Sequence, residues 1–154
     1  MTDWPDLAGR LEDGGHVLPV RVYYEDTDFT GAVYHGRFVN FFERARSDFL
    51  RLIDIHHTDL AKGVHGAALA FAVQSLTLTF TRPARIDDLL EVHSSFSDCR
   101  GARLKLDQLI YRGDDLIASA AVNVAVITPE GRPSRLPKHL ADTISRFLPS
   151  ELGS

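Results

Sequence analysis

The feature that most limits the folds open to this chain is a change of hydrophobic period near Gly66. Before it, Phe38, Phe41, Phe42, Ala45, Phe49, Leu52 and Ile53 recur at spacings of three and four, one stripe of a long helix, with Arg37, Arg44, Asp48 and Arg51 opposite. After it the period is two. Leu76, Leu78 and Phe80 alternate with Thr77 and Thr79, and Leu90, Val92 and Phe96 with Glu91, His93 and Ser95. Leu104, Leu106 and Ile110 alternate with Arg103, Lys105 and Asp107, and Val122, Val124 and Val126 close the series. The turn-forming stretches RPARIDD, DCRGAR and RGDD separate these runs by short connections, which predicts a mainly antiparallel sheet.

A further strand, Val17–Tyr24, precedes the helix, and in it Val20, Val22 and Tyr24 alternate with Arg21 and Tyr23. Helical turns are expected at Thr58–Lys62 and Pro137–Leu148. One apolar helix and one sheet bury both their apolar faces by packing on each other, so the expectation is an α+β fold, a long helix wrapped by a curved five-stranded sheet. With 154 residues, 44% of them hydrophobic, the chain supports one core. The domain is expected over residues 16–148. Residues 1–15, with Pro5, Gly9 and the Gly14-Gly15 pair, read as a mobile arm, and residues 149–154 as a tail.

Several function classes drop out. A net charge of -4 spread along the chain leaves no footprint for nucleic acid or an anionic membrane. The single cysteine, Cys99, excludes an internal disulfide and a paired-thiolate metal site. The first fifteen residues lack the cationic start and apolar middle of a signal peptide, and the longest apolar run, near Ala67, is too short to span a bilayer. A cytoplasmic protein is expected.

Chemistry concentrates in VRVYYEDTDFTGAVYHGRFVNFFERAR, from Val20. Glu25, Asp26 and Asp28 crowd between strand and helix, and a helix start offers unpaired N–H groups and the positive end of a dipole. The plainer reading makes Asp26, Thr27, Asp28 or Thr30 a cap or an Asx-turn. The functional reading adds Gly31, whose backbone freedom lets the chain approach a bound group, and a free N–H near His35. A carboxylate and a polarising dipole are the minimum for acyl transfer.

This stretch, with RPARIDDLLEV, CRGARL and RPSRLP, resembles the hotdog-fold acyl-CoA thioesterases of the 4-hydroxybenzoyl-CoA thioesterase type. Within them it is similar to the YbgC-like branch associated with the Tol-Pal envelope system. The resemblance implies that Asp28 is the catalytic carboxylate, as nucleophile or general base, and that the backbone amide of His35 polarises the thioester carbonyl. It places Gly31, Val33 and Tyr34 at the substrate, and Arg100 and Arg103 at the phosphates of coenzyme A. It implies no cofactor beyond the coenzyme A of the substrate, acyl carrier protein as a further partner, and a homodimer or homotetramer with the site between subunits. The rival is a binding module in envelope or phospholipid metabolism. Phe29, Thr30 and Ala32 depart from the YbgC-like pattern beside the acyl site, which bears on acyl preference.

Glu43, on the helix flank, is the second candidate catalyst, with an ion pair to Arg46 as its plainer role. His56 and His57 are adjacent, no carboxylate recurs at ligand spacing, and the acids near Asp28 lack calcium-loop spacing, so no metal is expected.

Overall fold

In a computed structural model, which describes residues 4–149, the apolar stripe folds as a helix, α1 (His35–Leu52). Phe38, Phe41, Phe42, Ala45 and Phe49 are buried along it, joined by Leu50; the stripe expected to reach Leu52 instead leaves that residue exposed. The strands are β1 (Arg10–Glu12), β2 (Gly15–Arg21), β3 (Ala70–Phe80), β4 (Leu89–Arg100), β5 (Arg103–Arg112) and β6 (Asp115–Ile127). Two short helices, α2 (His57–Ala61) and α3 (Lys138–Ser145), complete the fold. All strand pairs are antiparallel, in the order β1-β2-β4-β5-β6-β3.

Among the described residues the sheet has six strands where five were expected. The sixth is β1, inside the segment read as a mobile arm: its three residues pair with β2, Arg10 opposite Val17 and Glu12 opposite Gly15. The His16 ring, stacked 5.3 Å from Phe49, bonds the Ala8 carbonyl through Nε2 at 2.6 Å and so fastens the segment to the core. Of the expected arm and tail, residues 1–3 and 150–154 lie outside the described residues.

The face of the sheet toward α1 supplies Leu18, Val20, Leu90, Val92, Phe96, Leu104, Leu106, Ile110, Val122 and Val124, in the predicted alternation. α1 runs antiparallel to β3: Phe80 packs on Phe38 and His35 at the helix start, and Phe71 lies against His57 just beyond its end. β3 is a sheet edge, and most of its residues are exposed.

Candidate active site

The strand expected over Val17–Tyr24 stops at Arg21, and Tyr24, expected to face inward, is 82% exposed. The cause is Asp26. Its Oδ2 accepts the Tyr23 N–H at 2.9 Å, turning the chain through a single 3-10 turn over Tyr24–Asp26. Its Oδ1 accepts two N–H groups of Arg37, Nε at 3.0 Å and Nη2 at 2.8 Å. Its carbonyl accepts the Tyr34 N–H at 2.9 Å. The buried Asp26 thus ties the end of the strand segment to the first turn of α1.

Beyond it the chain makes a narrow antiparallel excursion. Thr27 bridges Val33, the Asp28 N–H bonds the Ala32 carbonyl at 2.9 Å, and the Gly31 N–H bonds the Asp28 carbonyl at 3.1 Å. Gly31 has φ +84, which explains a glycine there, and a Cβ would meet nothing within 4 Å. The Val33 N–H bonds Ala84 O at 2.8 Å, anchoring the return strand to the segment before β4. Tyr34 is the N-cap residue, with no side-chain capping bond, and His35 opens the helix.

Asp28 therefore stands at the tip of a ribbon whose other strand runs directly into the helix start. Its Oδ1 accepts the Thr30 hydroxyl at 2.5 Å and the Thr30 N–H at 2.8 Å. These bonds, the hydroxyl's first, hold the carboxyl below its ordinary pKa and keep it ionised at neutral pH. An ionised carboxylate serves as base or nucleophile, not as acid. Oδ2 has no partner among the described residues, and the group lines a shallow depression of about 440 Å³ with Tyr24, Thr27, Phe29, Gly31 and Ile86. The expected Asx-turn and the free carboxylate oxygen coexist.

The His35 N–H has no acceptor among the described residues, as the first residue of a helix should not. The His35 ring instead lies against Tyr34, centroids 4.4 Å apart, and edge-on to Phe80 at 6.2 Å, so packing occupies the ring and leaves the amide free. Gly36 lets the Tyr34 ring lie close, because a Cβ there would sit 2.7 Å from that ring and push it aside. Val33 is buried and Tyr34 half exposed at this end of the helix.

Arg100 and Arg103 face each other across the β4–β5 turn. Arg100 pairs with Asp98 at 3.2 Å, and both arginines line a separate depression with Lys105 and Asn123. β4 begins at Leu89, opposite Arg21 and near the Asp28 ribbon, and ends at Arg100, eleven residues on, about 36 Å away. One chain does not bring these arginines to Asp28.

The expected ion pair of Glu43 with Arg46 is absent among the described residues: Arg46 Nη1 bonds Gln108 Oε1 at 3.1 Å, and Glu43 is exposed. The reason is Gln108, buried on β5 and out of reach of a local sequence reading. Cys99 lies within β4, where burial first and the Asp98 charge second push its pKa up, the reverse of a reactive thiol. No cluster of three or more metal-binding side chains occurs among the described residues. The functional pair that sequence reasoning missed is Asp26 with Arg37; eleven positions separate them, and neither helix nor strand spacing pairs residues so far apart.

These features, a helix wrapped by an antiparallel sheet with a carboxylate ribbon at the helix start, define a hotdog-fold thioesterase class. A family model described as the thioesterase-like superfamily matches residues 22–144, and the chain belongs to that family. Among its relatives, the acyl-CoA thioesterase YbgC of Haemophilus influenzae is 38% identical over 129 residues, 83% of this chain and 93% of that one. The acyl-CoA thioester hydrolase YbgC of Escherichia coli O157:H7 is 40% identical over 124 residues, 79% of this chain and 90% of that one. A solved probable thioesterase from Bartonella henselae is 46% identical with a TM-score of 0.77, covering 80% of this chain and 99% of that one.

Proposed function

We propose that the protein hydrolyses acyl-CoA thioesters to a free acid and coenzyme A, with Asp28 as nucleophile or general base and the His35 amide as the group that polarises the carbonyl. The observation that carries the mechanism is the ionised Asp28 at the tip of a ribbon that feeds directly into a free helix N-terminus. As negative charge develops on the thioester oxygen, a donor fixed at the positive end of an eighteen-residue helix stabilises it without reorganising. Either Asp28 Oδ2 attacks the carbonyl carbon, giving an anhydride that water then opens, or it takes a proton from the attacking water. Thiolate leaves in both cases. Gly31, Val33 and Tyr34 frame the acyl end.

The same reading makes the site a product of two chains. Arg100 and Arg103 reach a thioester held at Asp28 only from a second protomer, given the length of β4. The open β3 edge and the fully exposed Phe29 beside Asp28 are surfaces that a homodimer would cover. A homotetramer pairs two such dimers. A thioester on acyl carrier protein presents the same pantetheine arm and is accepted by the same chemistry, whereas a Tol-Pal-associated binding module would hold the ligand without turnover.

The test is release of free thiol from short, long and aromatic acyl-CoAs and from acyl carrier protein thioesters, beside the mass of the protein in solution. Turnover by a dimer or tetramer is expected. Tight binding with no thiol release on any substrate would reject the enzyme reading in favour of the module.

A further inference from the structure

Between α1 and the strands β3, β4, β5 and β6 lies a cavity of about 500 Å³, within the range that holds small ligands. Its walls are apolar, with Leu50, Phe71, Leu76, Phe96, Leu106 and Val124 among them. It begins at Val39, one turn beyond His35, and reaches Leu50, a run of about 16 Å along the helix. Phe80, at the other end of β3 from Phe71, packs on Phe38 at 5.7 Å and on His35 at 6.2 Å at the helix start.

The polar groups in this apolar space are placed together. Arg46 and Ser47 enter from α1 and His57 from α2. The guanidinium of Arg46 is oriented by Gln108, a fully buried amide whose own N–H groups are committed to Phe42 O at 3.0 Å and Ser94 Oγ at 2.9 Å. Gln108 Oε1 can therefore only face Arg46. This partner is neutral, and among the described residues no carboxylate forms an ion pair with Arg46. Glu43, exposed at the cavity rim, acts on Arg46 only through its field; burial dominates and lowers the arginine's pKa from its ordinary value. Ser47 Oγ and His57 Nε2, 3.4 Å apart, add hydrogen-bonding capacity beside it.

A half-buried cation held in place without a counter-charge is costly, and an arriving carboxylate offsets that cost with charge-assisted bonds. The remaining donors of the guanidinium have no partner among the described residues and can make them. We propose that this cavity is a receptor for an apolar chain that ends in a carboxylate, with Arg46 as the anion partner and Ser47 and His57 beside it. Two sources share that chemistry: the far end of a dicarboxylic acyl thioester whose reacting end lies at the His35 amide, or a free fatty acid bound in its own right. The inference goes beyond thioester hydrolysis, and its binding arm does not need turnover.

Dodecanoate and 1-dodecanol, equal in chain length, are titrated calorimetrically into the full chain. Dodecanoate should bind about tenfold or more tightly than dodecanol, the scale of bonds to a charged group. Arg46→Gln should bring the two within about twofold, while Arg46→Lys keeps most of the difference. His57→Leu, which leaves the Gln108 network intact, should weaken dodecanoate alone and serves if Arg46→Gln does not fold. Equal binding of the two probes by the wild type overturns the proposal, as does an unchanged preference in Arg46→Gln. A change of oligomeric mass in Arg46→Gln with dodecanoate affinity intact also overturns it, by assigning Arg46 to a second copy. The sources separate by turnover. Preference for 11-carboxyundecanoyl-CoA over dodecanoyl-CoA, erased in Arg46→Gln, assigns the dicarboxylic thioester; no such preference with dodecanoate still bound assigns the free acid.

Discussion

Replacing Asp26 by Asn keeps the shape of the side chain and removes the charge that binds the strand end to α1. The wild-type carboxylate accepts three N–H groups, one from Tyr23 and two from Arg37, and its side chain is 5% exposed. Breaking a fully buried ion pair costs about 3–5 kcal/mol, which is an upper bound here. The Arg37 side chain is 37% exposed, so water takes up part of the released charge and screens the pair. The neutral amide also keeps one acceptor. A loss of about 2 kcal/mol follows, or about 4–8 °C in Tm for a domain of this size. Urea unfolding at pH 7, followed by circular dichroism, measures it. The clamp also sets where the Asp28 ribbon meets the helix start, so kcat should fall more than the stability loss alone explains, with KM less affected. A stability change below about 0.5 kcal/mol, with full kcat, would refute the view that Asp26 organises the site.

Thr30→Val removes the hydroxyl bond that most lowers the Asp28 pKa, so that pKa rises toward its ordinary 3.8 and the acid limb of the kcat/KM profile moves to higher pH; Thr30→Ser should leave the limb in place. His16 has its pKa lowered from 6.5 chiefly by burial, so the unfolded chain binds the proton more readily. Its contribution is fully present above about pH 6.5 and is lost as pH falls toward the folded value; His16→Phe should flatten that part of the stability profile in denaturant titrations from pH 5 to 8. Glu43→Gln should change kcat by less than about twofold, since the group makes no ion pair among the described residues and lies away from the Asp28 ribbon; a large drop would transfer the catalytic role to the helix flank.

The long helix and the four later strands were legible because their apolar residues follow a single period, over sixteen positions in the helix and five to seven in each strand, and burial follows the same period except at Leu52 and at the edge-strand residue Phe80. What failed to show was set by contacts between distant positions. Tyr24 continues the alternation of Val20 and Val22, yet points outward because Asp26 bends the backbone before it. β1 is three residues long, too short to carry a period, and is held by pairing with β2 and by the His16 bond to Ala8. Glu43 and Arg46 have the spacing of an ion pair, but Gln108, sixty-two positions from Arg46, supplies the partner instead. At the site, a group of acids before the helix, Gly31 and a free N–H near His35 could be read from residue types and order, while the choice of Asp28 among those acids came from the family resemblance. The clamp of Asp26 on Arg37 could not, and neither could the distance along β4 that separates Arg100 from Asp28.

The central claim is that an ionised Asp28 does the chemistry. The most direct measurement is thiol release from an acyl-CoA by the Asp28→Asn protein beside wild type at pH 7, with unfolding curves to show that both are equally folded. The account predicts a fall of about 10²-fold or more in kcat with the fold unchanged. Full activity in a folded Asp28→Asn protein would contradict it.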